Sequence, residues 1–292
     1  MTTPKRKSIT SAIALSAVAL LGLAGCADSN SEPLVIGSQA YYSNEIVAEV
    51  YAQVLEDAGF SVDRQFALGQ RDVYVPALLA GEVDLFPEYT GNLLQYFDPE
   101  ATATAEEDVY QALQGALPAG LTALALSGAS DQDSYNVTSD FAMKNNLTSI
   151  ADLAGVSGLR LGGAPELAER PYGPTGLMSF YGVTVEFEAT GDTTVESLVA
   201  GLIDMANVYS ADPRIQQLGL VTLTDPQGLF LSSNLVPIAS DAVNQEARDL
   251  ISAVSSAMTA ADLVALNVRS VDEQLSSAVI ARDWLLSKGL ID

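Results

Sequence analysis

The chain has 292 residues, a formal net charge of −24 and no histidine. So acidic a chain argues against nucleic-acid binding, which depends on neutralising phosphates with lysine and arginine, and against a polybasic contact with a membrane surface. The absence of histidine excludes Ser-His-Asp and Cys-His catalysis and histidine metal sites, so we expect no enzyme, no metal and no cofactor. A catalytic pair among the 37 acidic residues stays an open alternative, although no pair stands out.

The first residues predict a lipoprotein signal peptide. Basic residues at positions 5–7 precede an apolar run over about 9–23, and Leu-Ala-Gly then leads to Cys26, the only cysteine. This pattern resembles the bacterial lipobox, in which the chain is cut before a cysteine that becomes lipidated. We predict a signal peptide over 1–25 and a lipid anchor on Cys26 with a tether over 26–33, on the extracytoplasmic face of the cell membrane. A plain signal peptide or an uncleaved anchor is the alternative, although the apolar run is short for a membrane span.

From residue 34 onward, the apolar pattern predicts strands that alternate with helices. In chain order we expect a strand over 34–37, a helix through 46–55, a strand over 62–68, helices over 72–80 and 105–116, and a strand over 121–126. The pattern starts again beyond Tyr135 with a short helix over 147–153, strands over 159–163, 182–188 and 220–223, and helices over 195–200, 242–258, 260–266 and 271–288. This alternation indicates an α/β fold.

One stretch of sequence occurs twice. Residues 78–89 read LLAGEVDLFPEY and residues 198–209 read LVAGLIDMANVY, and each copy predicts a helix end, a glycine stop and a short strand ending in tyrosine. Ligands of open α/β sheets bind outside the carboxyl ends of the strands, so the repeat predicts two similar lobes whose Tyr89 and Tyr209 point at a shared cleft. Ordinary helix-to-strand connections in α/β proteins can carry the same letters, which is the alternative.

The tyrosines suggest what such a cleft could bind. A quaternary ammonium group cannot donate a hydrogen bond and is held by the faces of aromatic rings, each contributing about 0.5–2 kcal/mol. Tyr89, Tyr135 and Tyr209 lie at apparent strand ends or loops beside small or polar residues and could form such a cage. A tyrosine that half-buries its ring and hydrogen-bonds at the rim is the alternative for each of them.

Two arginines are scarce positive charges in a very acidic chain. Arg71 follows a glycine at a helix start, and Arg170 lies in the segment Glu-Arg-Pro-Tyr-Gly. Either could hold a carboxylate through paired hydrogen bonds, and a surface ion pair is the alternative.

Five segments carry motifs of one family. They are Ile-Gly-Ser-Gln at 36–39 with Glu45, Gly-Glu-Val-Asp-Leu at 81–85 with Glu-Tyr-Thr-Gly at 88–91, Arg-Pro-Tyr-Gly at 170–173 with the glycines and tyrosine up to 182, Tyr-Ser-Ala-Asp at 209–212, and the ending over 284–290. At these residues almost the whole chain after the signal peptide resembles the ProX/OpuAC-type substrate-binding proteins of ABC importers for glycine betaine, choline and related osmoprotectants.

The resemblance implies a two-lobed, type II periplasmic-binding-protein fold that closes on its ligand by hinge motion. Lobe one would comprise residues 34–134 and 236–292, and lobe two would comprise residues 135–235, with the ligand cleft between them. The tyrosines that match positions of the family's ammonium cage are Tyr89, Tyr135 and Tyr209. The residues that the resemblance assigns to the ligand's other end are Gln39, Thr90 or Asn92, and Arg170.

One departure from the family pattern bears on the ligand. The family usually has another cage tyrosine in a Pro-Pro-Tyr segment, where this chain has Phe-Leu-Ser-Ser-Asn at 230–234, so that Ser233 or Asn234 takes its place. A cage that lacks one wall favours a ligand larger or more polar than glycine betaine. Tyr41, Tyr42 and Tyr172 are candidates to supply the missing ring.

The sequence therefore predicts an extracytoplasmic solute-binding lipoprotein of an ABC importer. It would capture a quaternary amine such as glycine betaine, choline or carnitine, and deliver it as a monomer to an ABC permease and its ATPase. One alternative keeps the fold and binds an amino acid or another small polar solute. The others are a surface enzyme that uses carboxylates alone and a lipid-tethered adhesion module.

Overall fold

Two β-sheets with the same strand order organise the described part of the chain. The computed structural model describes residues 32–292, so the predicted signal peptide, Cys26 and most of the tether lie outside the described residues. The strands are β1 (Leu34–Gly37), β2 (Val62–Gln65), β3 (Leu85–Tyr89), β4 (Leu121–Ala123), β5 (Asp133–Val137), β6 (Leu159–Gly163), β7 (Val185–Ala189), β8 (Met205–Tyr209), β9 (Val221–Thr222) and β10 (Leu235–Ser240).

Helices connect these strands and complete the chain. They are α1 (Tyr42–Asp57), α2 (Arg71–Ala80), α3 (Thr90–Phe97), α4 (Glu106–Ala116), α5 (Ser139–Asn145), α6 (Pro174–Tyr181), α7 (Thr194–Val199), α8 (Arg214–Gln217), α9 (Gln245–Ala257), α10 (Ala260–Val271) and α11 (Ser277–Lys288), with 3₁₀ turns at Ile150–Gly155, Pro165–Glu169 and Gly191–Thr193. Within residues 32–292, none of them is both long and apolar enough to cross a membrane.

The two sheets share one topology. The strand order is β2-β1-β3-β10-β4 in the first sheet and β7-β6-β8-β5-β9 in the second. The first three strands of each sheet are parallel, whereas the fourth, β10 or β5, is antiparallel to both neighbours. The chain passes to the second sheet before β5 and returns to the first in β10. The predicted α/β fold with two lobes is confirmed, and we call the first sheet with its helices lobe one and the second lobe two.

The repeated sequence builds the same turn in both lobes. Gly81 follows α2 at φ 73° and Gly201 follows α7 at φ 70°, in the left-handed region that favours glycine. Each glycine N–H donates to the carbonyl oxygen three residues earlier. The strands that follow these turns end at Tyr89 and Tyr209.

The repeated aspartate also has the same role in both copies. A carboxylate oxygen of Asp84 accepts a hydrogen bond from the backbone N–H of Val35 at 2.9 Å, and Asp204 accepts one from the N–H of Arg160 at 3.0 Å. The N–H of each aspartate in turn donates to the carbonyl oxygen of the same partner residue. This pair of hydrogen bonds fixes the start of β3 against β1 in the first sheet and the start of β8 against β6 in the second.

Helix α1 is buried between the first sheet and the C-terminal helices α9, α10 and α11. Its residues Val47, Val50 and Leu55 share one apolar core with Leu285 of α11. The C-terminal helices therefore pack with lobe one, although the residues of lobe two separate them from it in sequence.

Two expectations from the apolar pattern differ from the structure. The continuous helix expected over 271–288 is wrong, because α10 ends at Val271 and α11 begins after Ser276, whose side chain caps it. Gln274, between the two helices, has φ 54°, which no helix accommodates. The apolar pattern also does not predict strands β5 and β10. These are the strands by which the chain enters each sheet from the other lobe.

Candidate ligand-binding cleft

A cavity of about 580 Å³ lies between the two lobes. Lobe one contributes the residues around the start of α1, Gln70 before α2 and Val271 at the end of α10. The segment between β4 and β5 contributes Asp131. The lining residues from lobe two are Ala164, Pro165, Glu166, Gly191, Asp192, Thr194, Val195, Asn207, Val208, Tyr209, Asp212 and Arg214. The cavity thus lies where β1, β6 and β8 end, which is the position that ligands take in α/β sheets.

Two tyrosine rings from opposite lobes stack in this cleft. Tyr41 precedes α1 in lobe one, and Tyr209 is the last residue of β8 in lobe two. Their ring centroids are 5.6 Å apart, with an angle of 23° between the ring planes. Tyr42 lines the same cavity. The predicted cage residue Tyr209 and the candidate substitutes Tyr41 and Tyr42 therefore lie together.

Tyr89 lies at the end of β3 and is almost completely buried, at 2 % exposure. Its hydroxyl has no hydrogen-bond partner among the described residues. Burial raises the pKa of Tyr89 well above its ordinary value, and the charge of Asp131 raises it further. The same charge also raises the pKa of Tyr41. Tyr89 is therefore close to the cavity without being one of its lining residues.

Asp131 is a buried carboxylate in the connection between the two sheets. It is 3 % exposed, it lines the cavity, and one of its oxygens accepts a hydrogen bond from the N–H of Ala211 at 2.8 Å. Burial raises the pKa of Asp131 to about 7; the Ala211 N–H lowers it, and the carboxylates of Asp133 and Asp212 raise it. Sequence analysis missed this residue, and the acidic segment Asp-Gln-Asp between the lobes was the available signal.

The lining of the cavity is acidic. Glu166, Asp192 and Asp212 line it together with Asp131, and Arg214 is the one cation among the described lining residues. The guanidinium of Arg214 donates to both carboxylate oxygens of Asp212, the shortest distance being 2.6 Å, and it also contacts Glu196 at 3.1 Å. Because its charge is already paired, the cavity presents a negative potential that favours a cation.

Asn92 and Ser233 join the two lobes in a polar network beside the cavity. The amide of Asn92, in α3, donates to Asp133 at 2.7 Å and to the hydroxyl of Tyr172 at 3.1 Å. The hydroxyl of Ser233 donates to the side-chain oxygen of Asn92 at 2.6 Å. The structure brings these two predicted site residues together, but their polar groups bind one another.

Thr90 and Asn234 tie the start of α3 to the segment that leads into β10. The hydroxyl of Thr90 accepts a hydrogen bond from the N–H of Asn234 at 3.0 Å and donates to the carbonyl oxygen of Ser232 at 3.2 Å. The amide of Asn234 donates to the carbonyl oxygen of Ser127 at 3.1 Å. Neither residue lines the cavity in this structure.

Tyr135 lies in the apolar core of lobe two. It is completely buried, its hydroxyl donates to the backbone carbonyl oxygen of Tyr172, and its ring centroid is 5.1 Å from that of Phe230. Phe230 also packs against the ring of Tyr172 at 5.6 Å. In this conformation Tyr135 and Tyr172 face Phe230 rather than the cavity of Tyr41 and Tyr209.

The remaining predicted residues, Gln39 and Arg170, lie outside the cavity lining. Gln39 is buried directly before the lining residue Ala40, and its N–H donates to the side-chain oxygen of Asn44 at 2.8 Å. Arg170 is half-buried after the 3₁₀ turn that ends at Glu169, and it does not line the cavity.

Arg71 is buried and binds a carboxylate of the chain itself. It donates to both oxygens of Glu88, at 2.9 Å and 2.7 Å. Glu88 therefore occupies the position that a ligand carboxylate would need on this guanidinium.

Comparison with known proteins agrees with this architecture. A protein-family model, OpuAC, described as the substrate binding domain of ABC-type glycine betaine transport systems, matches residues 32–287. The chain is 27 % identical to the glycine betaine-binding protein YehZ of Escherichia coli, over 89 % of this chain and 92 % of that protein. It is 24 % identical to the carnitine transport binding protein OpuCC of Listeria monocytogenes, over 95 % and 92 % of the two chains.

A solved structure shows the same fold. The crystal structure of a glycine betaine/carnitine/choline ABC transporter protein superposes with a TM-score of 0.74 at 22 % identity, over 89 % of this chain and all of that one. The family match spans nearly all the described residues, from the start of β1 to the last turn of α11. The protein therefore belongs to the OpuAC family of substrate-binding domains of ABC transport systems.

Proposed function

We propose that the protein captures a quaternary ammonium compound of the glycine betaine, choline or carnitine type and delivers it to an ABC permease. The observation that carries this proposal is the stacked pair Tyr41 and Tyr209, contributed by opposite lobes to one acidic cavity. Aromatic faces attract a cation that cannot donate hydrogen bonds, by about 0.5–2 kcal/mol for each ring. The names of the relatives support the same ligand class.

The cage of this proposal contains the predicted Tyr89, Tyr135 and Tyr209, with Tyr41 and Tyr42 beside them. Hinge closure in two-lobed binding proteins rearranges side chains at the interface between the lobes. We propose that the ligand's other end contacts the predicted polar residues after closure. These residues are Gln39, Thr90, Asn92, Arg170, Ser233 and Asn234.

The setting of the protein is part of the proposal. A lipid anchor on Cys26 would hold a monomer on the extracytoplasmic face of the membrane, where it would meet the permease and its ATPase. Lobe one would comprise 34–134 and 236–292, and lobe two 135–235. The protein would bind and release its ligand without chemical change, and it would not bind nucleic acid.

The test is calorimetric titration of the purified full chain in a non-ionic detergent. Glycine betaine, choline, carnitine and proline are titrated in parallel, and the melting temperature confirms that the sample is folded. We expect saturable binding of at least one quaternary amine and none of proline. A folded sample that binds no quaternary amine contradicts the proposal.

A second candidate keeps the fold and changes the ligand to an amino acid or another small polar solute. The observation in its favour is the polar segment where Ser233 or Asn234 stands in place of the family's cage tyrosine, with Ser233 hydrogen-bonded to Asn92. Competition of amino acids against a bound quaternary amine separates the two candidates. Displacement by an amino acid at lower concentration than by any quaternary amine favours the second.

A further inference from the structure

We infer that Asp131 makes the cleft selective for a ligand of net positive charge, a quaternary amine whose other end is uncharged, over a zwitterion that carries a carboxylate. Choline is the cation of this class and glycine betaine the zwitterion. The inference rests on the proposed function and narrows its ligand class.

The position of Asp131 carries the first step. Its carboxylate is 3 % exposed and lines the cavity. One oxygen accepts from the N–H of Ala211, and that is the carboxylate's one hydrogen bond within residues 32–292. A buried carboxylate with a single neutral donor is poorly compensated, because burial removes water without supplying a counter-charge. A cation in the cavity would supply that charge.

The aromatic groups around Asp131 carry the second step. Its charge acts on the hydroxyls of Tyr41, Tyr42, Tyr89 and Tyr209 and raises the pKa of each, after the larger effect of burial. An ammonium group in the cavity beside Tyr41 and Tyr209 would therefore lie near this carboxylate. Charge pairs that are shielded from water interact more strongly than exposed pairs.

The third step concerns the carboxylate of a zwitterion. The cavity already contains Glu166, Asp192 and Asp212 in addition to Asp131, and Arg214 is bound by Asp212 and Glu196. A second carboxylate entering with the ligand would meet like charges and no free cation among the described lining residues. Like-charge repulsion of this kind excludes a ligand without requiring a steric clash.

The test compares Asp131→Asn with wild type and with a matched control. Asparagine keeps the volume and the acceptor for the Ala211 N–H and removes the charge. The control is Asp63→Asn, which removes one charge from an exposed position in β2, outside the cavity. Choline and glycine betaine are titrated calorimetrically into each full-chain protein.

We expect wild type to bind choline more tightly than glycine betaine. Asp131→Asn should weaken choline binding by about tenfold or more and leave glycine betaine binding unchanged or tighter. Asp63→Asn should change the ratio of the two dissociation constants by less than about twofold, because solvent screens an exposed charge outside the cavity. Equal weakening of both ligands by Asp131→Asn would make the residue merely structural and overturn the inference.

A pH series on wild type tests the same inference without a substitution. The carboxylates that act on Asp131 are those of Asp133 and Asp212. The four tyrosines around it stay neutral between about pH 6 and pH 8. Choline affinity should fall from about pH 8 to about pH 6, because protonation of Asp131 removes its charge. Glycine betaine affinity should stay level or rise. A flat choline profile overturns the inference, whereas a folded sample that binds no quaternary amine, carnitine included, contradicts the proposed function itself.

Discussion

The tyrosines of the cleft differ in how much of each ring a ligand can reach. Tyr41 and Tyr209 stack on each other and line the cavity, whereas Tyr89 is buried beside them. The ring of Tyr135 is covered by Phe230. Of these four rings, Tyr41 and Tyr209 are therefore the ones that border the cavity in the present conformation.

Replacing Tyr209 with alanine should weaken binding of a quaternary amine by about 0.5–2 kcal/mol, because one aromatic face is lost. Tyr209→Phe keeps that face and is the matched control, so its dissociation constant should stay within about twofold of wild type. Calorimetry on both variants measures the difference. If phenylalanine weakens binding as much as alanine does, the hydroxyl rather than the ring carries the interaction.

The sequence predicts Tyr209 as a site residue but not its partner across the cleft. Tyr209 is the last residue of the repeat, and the glycine and aspartate of that repeat fix where its strand begins. These are signals that lie close to Tyr209 in the sequence. Tyr41 and Asp131 join the site through contacts with residues distant in the chain, such as Tyr209 and Ala211. Such contacts have no local pattern, so the sequence left Tyr41 as one of three candidates and missed Asp131.

At the scale of the elements, the parallel strands and most helices follow from periodicity, but β5 and β10 do not. Every residue of both strands is buried, so neither shows the alternation that marks a half-exposed strand. β5 also contains polar residues, and Ser134 and Asn136 form side-chain hydrogen bonds to the neighbouring strands β8 and β9. The hydroxyl of Ser134, for example, donates to the carbonyl oxygen of Val208 at 2.6 Å. The strands with which β5 and β10 pair, and not the composition of β5 and β10, therefore determine that these segments are strands.

The repeated aspartate gives a prediction at this scale. Asp84→Ala leaves the half-buried N–H of Val35 without its acceptor and removes the partner of the Ser240 hydroxyl. We expect the free energy of unfolding to fall by about 1–3 kcal/mol, the usual cost of an unsatisfied buried group. Urea denaturation of the full chain measures it.

The control for this prediction is Asp63→Ala, which removes an exposed aspartate from the neighbouring strand β2. An exposed substitution of this kind should change the free energy of unfolding by less than about 0.5 kcal/mol. Equal losses in Asp84→Ala and Asp63→Ala would show that the repeated aspartate does not fix the strand.

At the scale of the molecule, the side chain of Asn92 contributes to the contact between the lobes. Asn92, in α3 of lobe one, donates to Asp133, the first residue of β5, and to Tyr172 in the core of lobe two. Burial raises the pKa of Asp133, and the hydrogen bond from Asn92 opposes that shift. The network therefore stabilises the ionised carboxylate and the contact between the lobes together.

Removing one hydroxyl from this network should favour separation of the lobes. Tyr172→Phe deletes the acceptor that lies 3.1 Å from the Asn92 amide. We expect a two- to tenfold weaker dissociation constant, about 0.5–1.5 kcal/mol, with faster ligand release. Stopped-flow release kinetics and the small-angle scattering radius of the unliganded protein measure the effect.

Tyr110→Phe is the control for this prediction, because the Tyr110 hydroxyl donates to the carbonyl oxygen of Leu124 at 2.7 Å within lobe one. It should lower stability without changing the release rate or the scattering radius. If both variants alter release equally, the effect belongs to general stability and not to the contact between the lobes.

The pairing of the crossing strands places the two repeat tyrosines beside the chain's passages from lobe to lobe. Tyr89 pairs with Leu235, the first residue of β10, and Tyr209 pairs with Asp133, the first residue of β5. In a rigid rotation, displacement grows with distance from the axis. Rotation about these passages would move the outer rims of the lobes far while the tyrosines turn almost in place. A spectroscopic label at the rim would then report closure with a large signal and leave the ligand's own contacts undisturbed.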